Sequence, residues 1–201
     1  MKISHTQLDQ CLLQPRQWLR EQSAQKFGFK MGYGRVLKLS IGRYHKMNSA
    51  SDARRYMHEL IAKHDLKNNA RIDENEVTLD LYMKWHQKSG VNTADSMTRI
   101  QLDVGGYLQL SGIISRVDVT NDGYHGILFG VNQTNWKSQL RMPLIQKALA
   151  DKYVRPVQDI SVGVQGIDGS TLDVITFSPR QIRQAEEVFM DLGERIRALA
   201  P

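Results

Sequence analysis

The hydrophobic period of this chain changes near Gly90, and no other feature limits its possible folds as much. Before that point, apolar residues recur at helical spacing. Leu8, Cys11, Leu12, Trp18 and Leu19 mark a helix over residues 6–21 that Pro15 should break, with Ser4 or Thr6 as its cap. Three more helices are expected at about 35–47, 51–65 and 73–88, with Ser51 and Asp73 as N-terminal signals and Leu60, Ile61, Leu79 and Trp85 facing inward. Between them, residues 23–34 hold Gly28, Gly32 and Gly34 among basic and aromatic side chains, which is the composition of a loop. Beyond Gly90 the runs shorten and alternate. Strands are expected at 98–104, 107–120 and 124–132, separated by Gly105-Gly106 and by Asn121-Asp122-Gly123. A hairpin turn of the latter kind needs positive φ at its centre, which Asn, Asp and Gly tolerate.

A helix at about 138–153 follows this three-stranded meander, then strands at about 157–165 and 171–177 joined through Asp168-Gly169. Ser178-Pro179-Arg180-Gln181 opens the last helix as a capping box with proline at the first helical position, and the helix should run to about residue 198. The expected architecture is therefore α/β in one domain over residues 1–201: a mainly helical part at 1–90, and a sheet core with flanking helices at 91–201. A chain of 201 residues can bury one substantial core.

No apolar stretch approaches the roughly 20 residues that span a bilayer, and Met1-Lys2-Ile3-Ser4-His5 does not resemble the start of a signal peptide. The expectation is a cytoplasmic protein with no membrane partner. Cys11 is the only cysteine, so no intrachain disulfide or all-cysteine metal site can form, and Cys11 itself reads as a small buried apolar residue. Charge is unevenly placed. Residues 1–70 hold 13 Lys and Arg against 5 Asp and Glu, a balance of +8, whereas the whole chain carries +6. A basic N-terminal surface of this kind attracts phosphate backbones, and it is equally compatible with a solvated helical face.

Three segments carry a family resemblance. The opening Ile3-Ser4-His5-Thr6-Gln7-Leu8-Asp9-Gln10-Cys11-Leu12-Leu13-Gln14-Pro15-Arg16-Gln17-Trp18 resembles the "S-x-L-x-x-(Y/F)-x-x-C-P-x-x-(F/W/Y)" start of RecB-like PD-(D/E)XK nucleases. Ser111-Gly112-Ile113-Ile114-Ser115-Arg116-Val117-Asp118 looks like that family's "G-x-x-D-R-(V/I)-D" strand, and residues 124–132 occupy the place of its "D-(Y/F)-K-T" strand. The resemblance implies a PD-(D/E)XK-like mixed sheet flanked by helices, with two carboxylates holding Mg²⁺ and a lysine activating water. In this chain the first metal-binding aspartate falls on Ser115, the second acidic position on Phe129 and the lysine on Val131. The family's helix motif ending in histidine is echoed, one residue short, by Gly42-Arg43-Tyr44-His45, and its glutamine falls on Gln146. Gln14 stands where iron–sulfur members carry cysteine, so no cluster is expected.

The resemblance therefore implies a nuclease scaffold with degenerate positions at His45, Ser115, Phe129, Val131 and Gln146, with no catalytic set, metal or cofactor. Asp118, beside Arg116, reads as an ion-paired or solvent-facing structural residue. The expected role is a non-catalytic subunit of a DNA- or RNA-processing or defence complex that binds nucleic acid and a larger protein partner. Arg16, Arg20, Lys26, Lys30, Arg35, Lys38, Arg43 and Lys46 would contact phosphates, and Tyr33, with Phe27 and Phe29, would stack on bases. Two alternatives stand beside it. One is a purely protein-binding subunit; the other is an active nuclease whose site has moved, which requires Asp103, Asp118 and Asp122 to converge on one cavity.

Overall fold

A computed structural model describes residues 1–24, 31–130 and 135–200 of the chain. Among these, seven α-helices and six strands form an α/β structure around one mixed sheet. Strand β1 is Lys2–Ser4, and helices α1 (Leu8–Leu13) and α2 (Pro15–Ala24) follow it. Proline has no N–H to lose at a first helical position, so Pro15 does not merely break the expected helix at 6–21 but starts a second one. Helices α3 (Tyr33–Met47), α4 (Ala50–Lys63) and α5 (Asn69–Ser89) complete the helical half. Their caps differ from those expected. Ser49 rather than Ser51 caps α4 by accepting from the Asp52 N–H, and Asn68 rather than Asp73 caps α5 by accepting from the Arg71 N–H. Asp73 lies a turn inside α5, where a capping side chain has no orphan amide left to serve.

The second half holds β2 (Asn92–Asp103), β3 (Gln109–Thr120) and β4 (Gly123–Phe129), then α6 (Arg141–Tyr153), β5 (Ile160–Gln165), β6 (Leu172–Ile175) and α7 (Pro179–Leu199). Strands β2, β3 and β4 are the expected antiparallel meander, although β2 begins at Asn92, well before the expected 98. Helix α6 is the crossover that lets β5 pair parallel to β4, and β6 closes that edge antiparallel. Ser178 and Gln181 form both halves of the capping box at the start of α7, with Pro179 at its first position.

At the meander turn, Gly123 sits at φ 144°, and a β-carbon there would run into the backbone carbonyl of Asp159. Gly123→Ala should therefore cost roughly 1–3 kcal/mol, read as a lower midpoint in urea unfolding. An unchanged midpoint would show that the turn yields freely.

Register places β1 and β4 on the same edge of β3. Lys2–Ser4 pairs parallel with Gln109–Ser111, while Gly123–Ile127 pairs antiparallel with Arg116–Thr120, and β2 runs along the opposite edge. The C-terminal ends of β1 and β4 thus approach one another across a gap at residues 112–115 of β3. Each face of the sheet carries its own apolar core. One gathers Leu8, Trp18, Ile145, Leu149, Phe189 and Leu192 from α1, α2, α6 and α7, and the other gathers Val36, Ile41, Met57, Leu79 and Tyr82 from α3, α4 and α5. Strand β4 serves both, with Leu128 in the first and Ile127 and Phe129 in the second. No helix among the described residues is long and apolar enough to cross a membrane.

Candidate functional site

The gap in the β3 edge opens into a cleft of about 1190 Å³. Its lining brings together Lys2 from β1, Arg35 and Lys38 from α3, Arg99 from β2 and Arg141 from the first turn of α6, with His5 beside them. Among the described residues that line it there is no aspartate or glutamate, and Asp9 acts on Arg141 from outside the lining. Arg35 and Lys38 reach it from one face of α3 because they are three residues apart, while Val36, Leu37 and Ile41 turn into the core.

His5 follows β1 directly and its amide donates to the Ser111 carbonyl at 2.8 Å. Its ring is buried against Gly112, where any β-carbon would collide with it, so Gly112 is what admits the histidine to the gap. Burial, then the charge of Arg141, pulls the His5 pKa down to about 4, so the ring is neutral at ordinary pH. The Lys38 ammonium donates to the Phe129 carbonyl at 2.8 Å, and its pKa is lowered by burial and by Arg141. Arg141 is likewise lowered by burial, with Asp9 pulling the other way, and its Nε donates to Gln139 Oε1 at 2.7 Å. Lys38 and Arg141 thus place two cations near one another in a partly buried cleft, with Asp9 offsetting part of the charge of Arg141.

Two of the positions singled out by the sequence resemblance, Ser115 and Phe129, meet at this cleft. Ser115 on β3 accepts the Phe129 amide at 3.0 Å on its Oγ, and both residues line the cavity. Val131, Lys26, Lys30, Phe27 and Phe29 lie outside the described residues. His45 is elsewhere. Its Nε2 is 2.7 Å from the Tyr82 hydroxyl, and burial, then His86 and Arg116, lowers its pKa to about 3. Gln146 is also not at the cleft: fully buried, it donates to the carbonyls of Val157 and Phe177 and accepts the Phe177 amide, tying α6 to the start of α7.

The residues expected to contact nucleic acid separate in the same way. Arg35 and Lys38 are in the cleft. Arg43, lying over the Tyr56 ring at 5.7 Å, and Lys46 line a neighbouring pocket with His45. The Tyr33 hydroxyl accepts the Asn68 amide at the mouth of a further groove, and Arg16 and Arg20 line a groove between α2 and α7 that shares no residue with the cleft. Lys2, His5, Arg99 and Arg141 were not expected at a site; Arg141 at a helix start and Lys2 in a three-residue strand carry no local signal of convergence.

Asp118 belongs to a buried network and not to the cleft. Both its oxygens accept from Arg116 Nε, at 2.8 and 2.9 Å, and Thr93 Oγ1 donates to one of them at 3.1 Å. Arg116 is fully buried; its Nη1 donates to the Tyr82 hydroxyl at 2.8 Å and its guanidinium lies 4.9 Å from the Trp85 ring centre. Asp103, paired with Gln109, is at the far end of the β2–β3 ladder from Asp118, and Asp122 is exposed in the turn. Among the described residues, no three His, Cys, Asp or Glu side chains are grouped so as to hold a metal ion.

No protein-family model matches the chain, and no curated protein matches it. Among solved structures it is similar to one titled "Crystal structure of SSO0001", at 12% identity over 96% of this chain and 87% of that one, with a TM-score of 0.35.

Proposed function

We propose that the chain is a non-catalytic nucleic-acid-binding module with a PD-(D/E)XK nuclease-like scaffold, working as a subunit of a larger DNA- or RNA-processing or defence complex. The observation that carries the reading is the cleft at the β3 gap, which five cations line around Ser115 and Phe129, with the carboxylates of Asp9, Glu74 and Asp168 set outside the described lining. Phosphates would find positive charge there, whereas a hard divalent cation would find none of the anionic oxygens it needs. The Lys38 ammonium, held at the Phe129 carbonyl, supplies fixed positive charge of the kind a metal ion supplies in a working nuclease. Such a site binds a phosphodiester without activating water against it.

Lys2 and Arg99 sit on strands at the cleft mouth, so reversing them tests the reading with little risk to the core. Lys2→Glu with Arg99→Glu should weaken binding of a fluorescein-labelled 20-mer at least tenfold on every sequence tested, DNA or RNA. Each lost phosphate contact should also lower the log–log salt slope by about 0.7–0.9. No cleavage is expected with Mg²⁺ or Mn²⁺. Affinity unchanged by the charge reversal would sink the reading, and so would cleavage that depends on added Mg²⁺ or Mn²⁺.

A further inference from the structure

The basic residues divide between the cleft and a second groove of about 780 Å³ between α2 and the end of α7. Three exposed guanidiniums stand in it: Arg16 and Arg20, one helical turn apart on α2, and Arg195 on α7. Its remaining wall includes Pro15, Ala198 and Leu199. Like charges at i and i+4 oppose helix formation by a few tenths of a kcal/mol, and among the described residues no aspartate or glutamate lines the groove to offset them. Two carboxylates of these helices are engaged elsewhere: Glu21 accepts from the Gln10 and Gln17 side-chain amides, and Glu194 faces Arg197, while Asp191 stands one turn before Arg195 on α7. Leu13, at the end of α1 beside the groove residue Gln14, is 79% exposed.

We infer that this groove docks an acidic segment of a partner protein that carries an apolar anchor side chain. Carboxylates match the guanidinium fork in bidentate fashion, and arginine is the charged residue most enriched where binding energy concentrates at protein interfaces. The anchor would cover Pro15, Ala198, Leu199 and the exposed Leu13. A phosphate backbone would use the arginines alone and leave those apolar walls bare, which is why a protein segment fits better than a second stretch of nucleic acid. This inference stands apart from the proposed role of the cleft, since the two surfaces share no lining residue.

A random peptide-display library selected on the whole protein tests it. Enriched peptides should carry two or more Asp or Glu flanking a Leu-type residue. As synthetic peptides they should lose at least tenfold in affinity for Arg16→Glu/Arg20→Glu/Arg195→Glu and for Ala198→Trp, which blocks the groove without changing charge. They should bind the Lys2→Glu/Arg99→Glu variant as they bind the unmodified protein. All three arginines and Ala198 are exposed, so these variants should melt as the parent does. Enrichment without acidic bias, peptides indifferent to either groove variant, or no enrichment would overturn the inference. So would an arginine reversal that weakens oligonucleotide binding as strongly as the cleft reversal does.

Discussion

Asp118→Ala should lower the unfolding free energy by roughly 3–5 kcal/mol, the cost of leaving one member of a buried ion pair alone. Arg116 is fully buried and Asp118 nearly so, and the carboxylate takes both oxygens to one guanidinium nitrogen. Without it the guanidinium keeps one hydrogen bond to Tyr82 and the faces of Trp85 and Phe129, which cannot replace a counter-ion. The Thr93 hydroxyl loses its acceptor as well. Urea unfolding followed by circular dichroism measures the loss. The double variant Arg116→Met/Asp118→Leu should recover most of it, because removing both charges removes the uncompensated one. If the single variant loses less than about 1 kcal/mol, the pair is solvated and this account of the network fails.

The protein should also lose stability steeply as pH falls from about 6.5 towards 4. In the unfolded chain both His5 and His45 take up a proton near 6.5, whereas in the fold burial holds them neutral down to about 4 and about 3 respectively. Across that window the unfolded state binds more protons, so stability rises with pH and is withdrawn by acid. Each histidine contributes roughly 1 kcal/mol per pH unit once it is fully protonated in the unfolded chain, so the pair removes on the order of 5 kcal/mol by pH 4. His86 and His125, also lowered by burial, act in the same direction. Thermal melts at half-unit steps from pH 7.5 to 4 provide the measurement, and His5→Gln should remove about half the slope. A flat profile would mean that both rings are protonated in the folded protein.

What could be read in the residues was what short-range chemistry dictates. The Asn-Asp-Gly turn, the capping box at Ser178 and the change of period near Gly90 are all present in the structure, although in the turn only Gly123, and neither Asn121 nor Asp122 at its centre, takes the expected positive φ. Strand β1 was invisible because three residues carry no alternation and their partners lie more than a hundred positions away, at Gln109–Ser111. The helix starts slipped because several residues near each start could cap, and packing chose among them. At the site, Arg35 and Lys38 were visible in the basic excess of the N-terminal half, and Ser115 and Phe129 in the strand motifs. Lys2, Arg99 and Arg141 come from three separate elements, and only the closure of the sheet brings them to one cavity. Asp118 was legible from its neighbour: beside Arg116 it reads as ion-paired, and in the fold it is the counter-ion of that arginine two residues back.

Strand β4 alternates its side chains between the two apolar cores, giving Leu128 to one and Ile127 and Phe129 to the other. Neither helical layer can lift from the sheet without stripping a buried side chain from this strand, and loosening the strand exposes both layers to water at once. Helices from the first ninety residues lie on both faces, α1 and α2 in one layer and α3, α4 and α5 in the other, so β4 couples the two faces of the sheet along its seven residues.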